Sequence, residues 1–127
     1  MASLTLIRGL PGSGKTTMAK QMLEGGLVDV HFEADQYFEK DGEYKYIPEE
    51  IRSAHEWCQA SAHSCLELGQ RVVVSNTFTQ KWEMLPYMLM AEQLECDIKI
   101  IVTRGEYKNI HNIPEEVMIK MKERWEE

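Results

Sequence analysis

The sequence predicts an α/β domain: a small parallel sheet of about four strands, in the order 2-3-1-4, between helices on both faces in a three-layer sandwich. Three observations predict it. Short strand-like runs alternate with helical stretches along the whole chain. Two of those runs, 4–7 and 72–74, carry few polar residues, as strands covered on both faces do, whereas 28–33 and 97–102 partly alternate, as edge strands do. A glycine-rich turn separates the first run from the first helix.

The elements follow in order. Residues 3–8 read as a strand, and Gly9 to Gly14 as the turn. Good helix formers run from Lys15 to about Leu23, where Gly25-Gly26 stops them. Residues 28–33 alternate apolar and polar with period two, the mark of a strand with one wet face. Residues 34–47 show no helical stripe and read as a long surface loop. A second helix starts at Pro48, a favoured first helical position, and places Ile51, Ala54, Cys58, Ala62 and Cys65 at spacings of three and four until Gly69. The β-branched run 71–75 reads as a buried strand, and 80–94 as a helix kinked at Pro86. Residues 97–102 are the fourth strand, and the tail from Pro114 puts Val117, Met121 and Trp125 on one helix face.

The 127 residues, 43% of them hydrophobic, suit one domain spanning 1–127. A chain of this size buries roughly two-thirds of its unfolded surface without needing staples. With 14 basic and 21 acidic residues the net charge is −7, which works against a bulk electrostatic grip on nucleic acid. No apolar run reaches the ~18 residues of a membrane span. The start, Met1-Ala2-Ser3-Leu4-Thr5, lacks the basic and apolar regions of a signal peptide. Cys58, Cys65 and Cys96 are an odd, widely spaced set that implies no disulfide framework. The expectation is a small cytoplasmic domain without a membrane partner.

The turn carries the chemistry. Gly9-Leu10-Pro11-Gly12-Ser13-Gly14-Lys15-Thr16 fits the pattern G-x-x-x-x-G-K-[ST], the Walker A or P-loop motif, between a strand and a helix. Glycines let the backbone curl so that successive N–H groups point inward and cradle an anion. The helix start adds its unpaired N–H groups and the positive end of its dipole. Lys15 would reach the β- and γ-phosphates of ATP, and the Thr16 hydroxyl would bind Mg²⁺. Asp35 follows the second strand directly, and parallel sheets gather ligand groups at the carboxyl ends of their strands. There it could accept a proton from an attacking hydroxyl, hold the metal through water, or be an ordinary loop aspartate or helix N-cap.

The cradle together with Glu33-Ala34-Asp35-Gln36-Tyr37 resembles the kinase domain of polynucleotide 5′-hydroxyl kinases. Residues 41–48 (Asp-Gly-Glu-Tyr-Lys-Tyr-Ile-Pro), Ala54-His55-Glu56-Trp57, Asn76-Thr77 and Trp82-Glu83-Met84-x-Pro86-Tyr87 resemble a polynucleotide-kinase-like branch of P-loop ATP-binding proteins common in bacteria and bacteriophage. The likeness covers most of the chain, with gaps around 18–28 and 95–104. It implies the P-loop NTPase sandwich and a phosphotransferase acting on a hydroxyl. Asp35 would activate the acceptor, and Lys15, Thr16 and Thr17 would handle phosphates and metal.

Two positions depart from the polynucleotide kinase pattern. Phe38 stands where those enzymes carry an Arg three residues after the catalytic Asp. Asn76, preceded by Ser75, stands where they carry an acid at the end of the third strand. Asn76 could still bind a metal-bound water, so Thr16 and Asn76 are the metal candidates, with no added negative charge. The lid is also short. P-loop kinases fold an Arg-bearing lid over the γ-phosphate, and here only 103–113 separate the fourth strand from the last helix. A reduced lid would use Arg104 or Lys108 as its cation, and His111 would either contact the nucleotide or shape a turn.

Other residues have plainer readings. His55, His63, Cys58 and Cys65 lack the short C-x₂₋₄-C spacing of a structural zinc site, and the cysteines read as buried small residues. Met84, Met88 and Met90 read as core filling. The aromatics Tyr37, Phe38, Tyr44 and Tyr46 would stack a base or pack the loop onto the sheet, amid a local excess of acid that disfavours a phosphate backbone. Two functions stand: an ATP- and Mg²⁺-dependent kinase acting on a polynucleotide end, nucleoside or small hydroxyl compound, and an ATP-binding module or slow ATPase acting through a protein partner.

Overall fold

The computed structural model describes residues 2–105 and 113–127. Its elements are β1 (Ser3–Arg8), α1 (Lys15–Glu24), β2 (Val30–Phe32), β3 (Glu39–Lys40), β4 (Glu43–Tyr44), α2 (Ile51–Glu67), β5 (Arg71–Asn76), α3 (Leu85–Gln93), β6 (Asp97–Val102) and α4 (Glu115–Arg124). Four strands form one parallel sheet in the order β2-β5-β1-β6, the order expected from strand polarity. In register, Leu4 lies beside Val72 and Ile98, and Arg8 beside Asn76 and Val102.

The pleat separates two cores. Leu4, Leu6, Val72 and Val74 face one side, where Cys58, Ala62 and Leu66 of α2 and Tyr87, Met90 and Ala91 of α3 cover them. Ile7 and Val73 face the other, against Ala19 and Met18 of α1. Both central strands are therefore covered twice, which makes the three layers. Cys58 is fully buried and Met84 and Met90 sit in the first core, as space-filling residues do.

Three expectations are corrected. Residues 34–47 are not a plain loop: Ala34–Phe38 wind into a 3₁₀ helix, and β3 and β4 form an antiparallel hairpin. Phe38 explains this, because its ring is 2% exposed and seats the segment against Ala54 of α2. Pro86 does not kink a helix. A 3₁₀ turn, Lys81–Met84, leads into α3, and Pro86 lies in the first turn of α3, where its missing N–H costs nothing. Trp125 lies beyond α4, where the Arg8 guanidinium stacks 4.2 Å from its ring centre. Arg8, 3% exposed, also donates to the Phe78 carbonyl through Nε (3.1 Å) and Nη2 (2.8 Å) and to the Glu126 carbonyl. The last residue of β1 thus ties the C-terminal segment to the carboxyl end of the sheet. No helix among the described residues is long and apolar enough to cross a membrane.

Candidate phosphate-binding site

The turn after β1 is a built cradle. Gly12 and Gly14 have φ of 82° and 100°, conformations open to glycine and strained for other residues, and Gly14 caps α1. The Ser13 N–H bonds the Leu10 carbonyl at 3.0 Å and closes the curl. The segments that follow β5 and β6 hold it from behind: the Gly9 N–H donates to the Thr77 carbonyl (3.2 Å), and the Gly105 N–H to the Ser13 carbonyl (3.1 Å). The Ser13 and Thr103 hydroxyls are 2.7 Å apart and buried. Pro11 is half-buried on the loop, and Thr17 is exposed in the first turn of α1.

Lys15 folds back over the loop, its Nζ donating to the Leu10 carbonyl at 3.2 Å. Burial pushes its pKa down to about 8, against the opposing pull of Glu33 and Asp35. Lys15, Glu33 and Asp35 therefore lie near one another at the carboxyl end of the sheet. Asp35 lies in the first turn of the 3₁₀ helix after β2, and the Tyr44 hydroxyl from the hairpin donates to its Oδ1 at 3.3 Å.

Beside the cradle lies a polar chain. The Thr16 Oγ1 donates to Glu33 Oε2 at 2.9 Å, and the Ser75 Oγ donates to the same oxygen at 2.9 Å. His31 Nε2 lies 2.7 Å from Ser75 Oγ. The single Ser75 proton is given to Glu33, so His31 Nε2 carries the hydrogen between itself and Ser75. Burial pushes the Glu33 carboxyl up, but the neighbouring His31 and the two hydroxyl donors outweigh it and hold the carboxyl below its usual pKa.

The structure places the remaining residues as follows. Asn76 is 7% exposed; its Oδ1 accepts from the Ala34 N–H at 2.9 Å, and its Nδ2 lies 3.8 Å from Cys58 Sγ. Its amide is used in joining β5 to the segment that carries Asp35. Arg104 follows Thr103 beside the cradle, and its side chain makes a two-pronged pair with Glu127, at 3.2 and 2.6 Å. Lys108 and His111 of the expected lid lie outside the described residues. The aromatics pack on one another: Phe38 meets Tyr46 at 5.2 Å and Tyr37 at 5.4 Å, and Tyr37 tilts against Trp57 at 6.3 Å.

Sequence reasoning missed the role of Glu33. Glu33 reads from sequence as the polar end of an alternating strand and as part of the string Glu33–Tyr37, with no role of its own, and its partner Ser75 is 42 residues away. Sequence alone offers His55 no role, and in the structure burial keeps its pKa below the usual histidine value, against the pull of Glu83 and Asp35.

A parallel sheet in this order, a G-x-x-x-x-G-K-T loop between β1 and α1, and a carboxylate after β2 define a P-loop domain of the kinase-like α/β type. Residues 4–112 match the family described as "AAA domain", and the chain belongs to that family. It is 30% identical over 133 residues to NEDD4-binding protein 2 of Homo sapiens, a match that covers 97% of this chain and 8% of that protein. Among solved structures it is similar to a chain of the Pnkp1/Rnl/Hen1 complex (TM-score 0.66, 19% identity, 94% of this chain and 38% of that one). It is also similar to a gluconokinase from Sinorhizobium meliloti 1021 (TM-score 0.63, 17% identity, 98% and 75%). The chain thus spans less than a tenth of the human relative and under half of the Pnkp1-complex chain.

Proposed function

We propose that this domain is a phosphotransferase that binds ATP with Mg²⁺ and moves the γ-phosphate to an acceptor hydroxyl. The observation that carries the proposal is the cradle itself, with Gly12 and Gly14 at positive φ and Lys15 folded over the loop, opening at the same end of the sheet as Asp35, just after β2. The loop N–H groups and Lys15 hold the phosphates. Asp35 takes the proton of the acceptor hydroxyl as its oxygen attacks the γ-phosphorus in line. The bond from that phosphorus to the β-phosphate oxygen breaks, and ADP leaves. Arg104, exchanging Glu127 for phosphate, adds a cation to the developing charge. The Thr16 hydroxyl, a hard oxygen donor beside the cradle, would suit Mg²⁺, which would supply neutralisation of phosphate charge.

The acceptor is a polynucleotide 5′-hydroxyl, a nucleoside or a small hydroxyl compound. The buried Phe38 brings no cation to a nucleic-acid strand and so favours the last two. Three free cysteines suit a cytoplasmic setting. A second reading, an ATP-binding module or slow ATPase acting through a protein partner, is favoured by one observation: the Arg104 fork is already occupied by Glu127.

The test offers labelled ATP to 5′-hydroxyl oligonucleotides, nucleosides and a sugar panel, with wild type and Asp35→Asn. Transfer to one acceptor that falls roughly 10²–10⁴-fold in Asp35→Asn supports the kinase. Transfer indifferent to that change refutes the role of Asp35, and ATP binding without transfer to any acceptor favours the second reading.

A further inference from the structure

We propose that Glu33, just after β2, is the metal-side carboxylate of this site, taking over a task that Asn76, at the end of β5, does not perform. Ser75 and His31 act as its positioning residues. The inference rests on the reading of the cradle as an ATP·Mg²⁺ site.

Three observations carry it. First, the Asn76 oxygen is spent on the Ala34 N–H in a buried bond, and an amide brings no charge. Second, Glu33 accepts the Thr16 hydroxyl proton at 2.9 Å. A hydroxyl that hands its proton to a carboxylate turns its lone pairs outward and becomes a better donor to a cation, the usual work of a residue behind a metal ligand. Third, Glu33 is prepared for that work. Its side chain is 17% exposed, its Oε2 receives both Thr16 and Ser75, and His31, 6% exposed, orients Ser75 from behind.

Mg²⁺ keeps several waters and takes few protein ligands. A Thr16 oxygen and a carboxylate behind it, completed by phosphates and water, match that habit better than an all-protein cage. Among the described residues no group of three acidic, His or Cys side chains could form such a cage.

The experiment is calorimetric titration of ATP with and without Mg²⁺, using wild type, Glu33→Gln, Glu33→Asp and Ser75→Ala, with thermal unfolding of each. The readout is the metal enhancement, the ratio of the two affinities. Glu33→Gln is expected to lower that ratio by about 10–100-fold. Its metal-free ATP affinity should hold or rise, since a negative charge beside the phosphates is gone. Glu33→Asp and Ser75→Ala should lose less, in the same direction. A structural role alone would weaken both affinities together, and that result overturns the proposal. A wild-type enhancement retained in Glu33→Gln while ATP still binds refutes Glu33 alone. Failure of wild type to bind ATP in either condition refutes the cradle reading and this inference with it.

Discussion

The Ser13 and Thr103 hydroxyls meet 2.7 Å apart beneath the cradle, in the space that a side chain on Gly9 would need. A Cβ there collides with both hydroxyl oxygens and comes within 2.8 Å of the Thr103 carbonyl. Neither β1 nor β6 can yield easily, since the Thr103 N–H is bonded to the Arg8 carbonyl at 2.9 Å. Gly9→Ala is expected to cost about 1–3 kcal/mol of stability and to weaken ATP binding by pushing the loop out of shape. Urea unfolding and ATP titration check the two effects.

Lys15 makes the protein pH-sensitive in two opposite senses. Burial lowers its pKa from 10.5 to about 8, so between those values the unfolded chain holds the proton that the native state has lost. Stability of the free protein should therefore rise with pH across that window through this residue. Binding runs the other way, because a polyphosphate wants the ammonium. ATP affinity should fall above about pH 8, with net proton uptake on binding at that pH. Calorimetry in two buffers of different ionisation enthalpy measures the uptake, which should vanish in Lys15→Met.

Tyr44 reaches Asp35 from the hairpin, its hydroxyl 3.3 Å from Oδ1, while its ring packs 6.4 Å from that of Phe38. Tyr44→Phe removes the donor and keeps the packing. A hydrogen bond of this kind contributes about 0.5–1.5 kcal/mol, or roughly 2- to 13-fold in rate. Phosphoryl transfer should slow by that much with ATP affinity unchanged, a split that steady-state kinetics and titration together resolve.

Phe38 is a core residue at a position where a resemblance to polynucleotide kinases would place a cation. Phe38→Ala should cost about 3–5 kcal/mol. Phe38→Arg should destabilise at least as much and bring no gain in oligonucleotide affinity, because the position points into the aromatic cluster rather than toward an acceptor. Chemical denaturation and an oligonucleotide mobility shift provide the readouts.

What could be read from the chain alone follows a physical boundary. The strand order was legible because burial on one face or two leaves a local mark, as in Val72-Val73-Val74 against the alternating 97–102. The cradle was legible because its glycines, Lys15 and Thr16 are adjacent in sequence. Pairings set by distant segments were not. The fate of the Asn76 amide depends on Ala34, 42 residues away, and Glu33 gains meaning only when Thr16 and Ser75 converge on it. The winding of 34–38 was hidden for the same reason, since Phe38 is anchored by Ala54 on α2 rather than by any local periodicity.

The most direct measurement is calorimetric titration of wild type and Lys15→Ala with ATP·Mg²⁺, using adenosine as the control. Removing a charged hydrogen-bond donor costs about 1.5–3 kcal/mol, roughly 10- to 150-fold in affinity. Wild type should bind ATP and ignore adenosine, and Lys15→Ala should lose affinity in that range. Equal binding by the two proteins, or adenosine bound as well as ATP, would contradict the claim that the curl of residues 9–16 holds a polyphosphate.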